Sequence, residues 1–245
     1  MSRFITTSIG SLLGALQYTY FHGECLQELY PSKLYTTKDI ENRNLVEKFQ
    51  MYGLLKAKAV ERKHKYYSLT ELGKIFQEIY KIIEPFRNSE KFEVMFDHQW
   101  KTFRTMVLVL SYLVRNLEKE RFSLEKIYSD LKLEDYSRRK TKTLLNYFGK
   151  LEKVGIVEII DKKSWTPTIR ITEKGKDILK EYFFYLSSFG LEDFSLKEIS
   201  SSTYITVRVD VEKLREVISE KRIGERTVFI TEPPINNPFV LYGRV

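Results

Sequence analysis

The chain repeats itself. At an offset of 102 residues, Gly53-Leu54-Leu55 falls on Gly155-Ile156-Val157, and Leu69-Thr70-Glu71-Leu72-Gly73-Lys74 falls on Ile171-Thr172-Glu173-Lys174-Gly175-Lys176, without a gap. Over 48–82 against 150–184, seven positions are identical: Lys48, Gly53, Thr70, Glu71, Gly73, Lys74 and Tyr80 with their counterparts. Chance would give roughly two, so one structural unit used twice is the simpler account, by duplication or by convergence.

The parts of the unit can be read in order. Leu144, Leu145, Phe148, Leu151 and Val154 keep the spacing of a buried helical stripe, as do Ile40, Leu45, Val46, Phe49 and Tyr52. Gly53 and Gly155 then stand where a helix ends in a left-handed cap. Extended chain follows (54–60 and 156–160), then a polar tip, then a return strand (66–69 and 168–171). Thr70 and Thr172 are placed to cap a further helix, with Glu71 and Glu173 in its first turn. Upstream, a long stripe from Trp100 to Leu117 and a short segment opened by Ser123 predict two more helices, with 4–20 and 24–30 as their equivalents in the first copy.

This order, with Gly-Leu-Leu leading into a hairpin and Leu-Thr-Glu-Leu-Gly-Lys closing it, resembles the winged-helix family, most closely the archaeal and bacterial regulators of the MarR, PadR and ArsR groups. The resemblance covers 5–85 and 98–188 and points to an archaeal protein or one from an archaeal mobile element. It implies a mainly α fold with small β-hairpins (α+β): a first winged-helix domain (1–85), a connector (86–97) and a second winged-helix domain (98–188); the residues beyond read from their own content as a Ser-rich linker (189–203) and a small α/β tail (204–245). It also implies that the third helix of each unit enters the major groove of double-stranded DNA while the hairpin touches the backbone or minor groove.

Charge decides which residues would do this. The net charge is +8. Residues 1–95 carry +3, residues 96–190 carry +6 and residues 191–245 carry −1, so the positive field lies on the repeated part and favours an anionic partner. In the second unit Ser137, Arg138, Arg139, Lys140 and Lys142 open the third helix and Lys150 lies near its end, with Lys162 and Lys163 on the wing. Arg in such a place can bond phosphate or the guanine edge. In the first unit Thr36, Thr37, Lys38, Arg43, Asn44 and Lys48 are the candidates on the helix, diluted by Asp39, Glu41 and Glu47. Its wing carries Lys56, Lys58, Arg62, Lys63 and Lys65 against Glu61. Trp165 on the second wing either meets a partner or folds over its own hairpin.

Other classes fare worse. No phosphate loop, nucleophile elbow or HExxH motif is present, so no catalytic residue and no cofactor are expected. One cysteine and three histidines are too few for a zinc module, and Cys25 near His22 reads as a core residue rather than a metal ligand. The uncharged stretch 4–23 holds too many Thr, Ser and Gly residues for a membrane span, and no small-residue cleavage site follows it, so the expected location is cytoplasmic. Abundant Lys, Glu, Ile and Tyr hint at a thermophile. In the tail, 204–209 alternates like a strand, Asp210 is placed to cap a helix, and 228–230 and 239–242 read as further strands. So small an element needs a surface to cover it, either the second unit or another copy in a homodimer. The expected protein is a non-enzymatic DNA-binding transcriptional regulator. A tandem winged-helix adaptor that meets protein instead, or a plasmid or viral replication or partition protein, are the alternatives.

Overall fold

The computed structural model describes residues 4–40, 43–61, 64–87, 89–132, 138–164, 166–190 and 206–220. It is mainly helical with small antiparallel sheets, an α+β chain. The first half contains β1 (Phe4–Ser8), α1 (Ile9–Gln27), α2 (Arg43–Met51), β2 (Leu55–Glu61), β3 (His64–Leu69) and α3 (Glu71–Ile83). A 3₁₀ turn, Glu84–Phe86, and the short α4 (Glu90–Glu93) lead to the second half. That half contains α5 (Trp100–Arg115), β4 (Phe122–Ser123), α6 (Leu124–Asp130), α7 (Arg138–Lys153), β5 (Val157–Ile160), β6 (Thr168–Ile171), α8 (Glu173–Tyr182) and α9 (Phe184–Ser188). β7 (Thr206–Asp210) and a helix over 211–220, α10, follow.

The repeat extends to individual atoms. Gly53 and Gly155 have φ of +76° and +78°, a conformation that carries little penalty only without a Cβ. At each, the next amide reaches back to close a Schellman cap: Leu54 N–H donates to Phe49 O at 2.8 Å and Ile156 N–H to Leu151 O at 2.9 Å. Thr70 Oγ1 accepts from Gly73 N–H at 2.9 Å and Thr172 Oγ1 from Gly175 N–H at 2.8 Å. Each threonine hydroxyl also donates to the capping glycine's carbonyl, at 2.6 Å in both copies. One side chain thus ties the end of one helix to the start of another. A Cβ on Gly73 would collide with Leu54 O, and one on Gly175 with Ile156 O, which explains the second glycine of each pair.

The halves differ in what precedes α2 and α7. The second half runs helix, strand, helix, helix, hairpin, helix, and its sheet has the order β4-β6-β5. Ser123 caps α6 as its sequence predicts, accepting from Lys126 N–H at 3.1 Å. In the first half the third strand shrinks to a single bridge between Tyr35 and Tyr67. After it, where α6 would lie, is a turn in which Asp39 accepts from both the N–H and the hydroxyl of Thr36. The predicted short helix at 24–30 is a second helical stretch, joined to the first across a break at His22 within Ile9–Gln27. Most of it is the end of α1, bent at His22 (φ −135°) and fastened by Gln77, whose buried amide donates to Leu26 O and Leu29 O.

The connector is packed rather than loose. Arg87 enters the bend of α1 and donates to Phe21 O at 3.1 Å and to Glu24. A side chain inserted into the i→i−4 ladder is a recognised cause of such bends. Burial pushes the Arg87 guanidinium towards losing its proton, but Tyr80 and Glu24 outweigh this and hold its pKa above the ordinary value. Tyr20 donates to Arg87 O at 2.6 Å and stacks on Phe96 at 3.8 Å, while Phe21 stacks on His98 at 4.1 Å. Phe92 meets Tyr182 and Phe183, and Phe76 of α3 meets Phe189 beyond α9. One continuous hydrophobic core results.

Two further expectations change at the chain ends. Residues 4–8 are strand, not helix, and the helix begins at Ile9 with Ser8 as its cap. Tyr185, Leu186 and Phe189 are buried, so packed chain reaches into the start of the expected linker (189–203). Thr206–Asp210 is a strand, and Asp210 caps α10 by accepting from Glu212 and Lys213 N–H. Within the chain it does not pair with the second unit. β7 pairs antiparallel with β1, from Phe4↔Asp210 to Ser8↔Thr206. Arg215 bridges to Glu71 at 2.8 Å, and Val211, Leu214 and Ile218 of α10 are buried. The segments 191–205, including most of the Ser-rich linker, and 221–245, with the other two expected strands, lie outside the described residues.

Candidate nucleic-acid interface

In the second unit, Arg138, Arg139 and Lys140 form the first turn of α7; Ser137 lies just outside the described residues. Leu144, Phe148 and Leu151 anchor the helix in the core, leaving Lys142, Asn146, Lys150 and Lys153 exposed. A helix N-terminus carries partial positive charge, so the three basic residues sit where an anion is already favoured. Lys150, three turns on, faces Asp97 at 4.0 Å and is partly offset.

The second hairpin, β5–β6, spends much of its charge on itself. Glu152, near the end of α7, accepts from Ile159 N–H at 3.0 Å and from Lys162 at 2.6 Å. Burial pushes its carboxyl up, but the bonds from Lys162 and Ile159 outweigh that and hold it below the usual range. Glu158 and Arg170, opposite each other across β5 and β6, form a second pair. Lys163 is exposed and enters no ion pair among the described residues. Trp165 lies outside them.

The first unit has the opposite arrangement. Arg43 on α2 pairs with Glu47 at 3.0 Å, while Asn44 is exposed and Lys48 half-buried. Thr36, Thr37 and Lys38 do not open this helix; they lie in the turn before it. Asp39 there is held below the usual carboxylate range by the Thr36 N–H and hydroxyl. The hairpin β2–β3 is longer than its counterpart and joined by two residues, Arg62 and Lys63, which lie outside the described set. Its register slips between Ala57 and Ala59, leaving Lys58 as the extra residue of a bulge. Lys56, Lys58 and Lys65 are exposed, and no ion pair among the described residues involves them. Lysines so placed along an extended ribbon suit a phosphate backbone.

The sequence supplied the basic residues but not which of them are offset. Glu152 is a single acid near the end of a basic helix, and nothing local announces that Lys162 turns back to it. Cys25 is half-buried against the core, and among the described residues no three His, Cys, Asp or Glu side chains cluster as a metal site would need. None of the described helices is long and apolar enough to cross a membrane. Compared with known protein families, curated proteins and solved structures, the chain matches none.

Proposed function

We propose that this chain is a non-enzymatic, cytoplasmic, double-stranded DNA-binding protein, a transcriptional regulator built from two winged-helix units. The observation that carries the reading is the positive charge exposed along the β2–β3 hairpin, where Lys56, Lys58 and Lys65 enter no ion pair among the described residues, together with the position of Arg138, Arg139 and Lys140 in the first turn of α7. The element order of the second half, with strands ordered β4-β6-β5, supports it, because in a winged helix that order presents the third helix and the hairpin to the duplex. α7 is the reader, and the first hairpin grips the backbone. Association through the C-terminal element into a homodimer is retained only as a secondary proposal, since its described apolar face is covered within the chain.

A replication or partition protein would use the same surfaces. The adaptor reading is favoured at one place: α2 is charge-balanced by Arg43 and Glu47 and ends in exposed Met51, which suits protein more than DNA. A salt titration on duplex DNA separates the two. For six to ten phosphate contacts, affinity falls roughly 10³–10⁵-fold between 50 and 200 mM salt. A flat titration would exclude the DNA reading.

A further inference from the structure

Two DNA-binding units joined by a loose linker would tolerate any separation between the stretches they contact. The described residues of the connector are not such a linker. Tyr20 and Phe21 of α1 stack on Phe96 and His98 of the connector, and Gln17 Nε2 donates to Asp97 O at 2.8 Å. Arg87 fills the bend of α1. On another side Phe76 of the first unit meets Phe189 of the second. The strand that follows the second unit returns to pair with β1, and Arg215 then bonds Glu71. Chain segments therefore cross between the halves in both directions. Domains move freely by default, but not across an extensive apolar interface.

We infer that the two units meet DNA as one rigid, two-headed body, so the spacing between the two contacted stretches is itself recognised. The inference rests on the DNA-binding reading and adds to it a property of the target. Joining two heads raises affinity only when both can engage at once. A rigid body cannot follow a target whose second stretch has been rotated by half a turn or moved about 34 Å by a full turn.

The test has two parts. Duplexes recovered from a random pool are rebuilt with five or ten base pairs inserted between the two enriched blocks. A rigid body loses about tenfold or more with either insertion; equal affinity across spacings, or a single enriched block, overturns the inference while leaving DNA binding intact. Separately, spin labels on Glu28→Cys and Glu125→Cys, in a Cys25→Ser background, report the inter-unit distance without DNA. One narrow distance, broadened by Arg87→Ala, is expected. A broad distribution in the parent overturns rigidity. A narrow distance in a protein that binds no duplex instead removes the DNA-binding reading and, with it, the target property built on it.

Discussion

The two hairpins share a root and diverge at the tip. At the root, the same glycine cap, threonine clasp and tight glycine recur with hydrogen bonds matching within 0.1 Å. Beyond it, β5–β6 pairs Lys162 with Glu152 and Arg170 with Glu158, whereas Lys56, Lys58 and Lys65 on β2–β3 stand exposed. Their helices are reversed: α7 opens on three basic residues and α2 balances Arg43 with Glu47. Backbone geometry was kept where it closes the fold, and charge was redistributed where it does not. One unit offers its helix and the other its ribbon.

The sharpest way to break this contrast is to reverse the helix. Arg138→Glu with Arg139→Glu should weaken duplex binding on the order of 10²–10³-fold, since each good base or phosphate contact there contributes about 1–3 kcal/mol. Circular dichroism should be unchanged; undiminished binding would take the second unit out of the reading. Gly175→Ala and Gly73→Ala test the shared root. Each should cost about 2–4 kcal/mol in urea unfolding through its clash with a carbonyl; neutrality at either position would mean the two roots are not equivalent.

Replacing Lys56, Lys58 and Lys65 by Gln should lower the slope of log affinity against log salt by about 2.7 and weaken binding more modestly at high salt. The single change Lys162→Gln should barely move that slope. The smallest effect belongs to Glu152. Its folded carboxyl titrates below the ordinary value, so its stabilisation is present above that ordinary value and is lost as pH falls through the folded one. As pH falls below the ordinary carboxylate range the amide of Ile159 should lose hydrogen-exchange protection, by well under 1 kcal/mol for so exposed a pair. The same amide in Glu152→Gln should show less of this loss.

What could be foreseen from the residues follows physical range. Caps, tight glycines and buried stripes are local, so Thr70, Gly73 and Leu144-Phe148-Leu151 declared themselves. The Tyr35–Tyr67 bridge did not, because the first unit replaces a helix with a turn whose Asp39 reads as an ordinary acid. β1 was hidden inside an uncharged stretch that suits a helix equally well; only its distant partner decides the matter. For the site, identity was legible and availability was not, since whether a lysine faces solvent or a carboxylate depends on side chains ten or more residues away.

The β1–β7 ladder has a consequence for the order of events during synthesis. Phe4 leaves the ribosome about 200 residues ahead of Asp210, a delay on the order of ten seconds or more at ordinary elongation rates. Both repeated units can complete themselves meanwhile, yet the very first strand must wait with its edge open. Closure of this ladder therefore follows both units, and the nascent protein is most vulnerable to sticking to its neighbours until Thr206–Asp210 emerges.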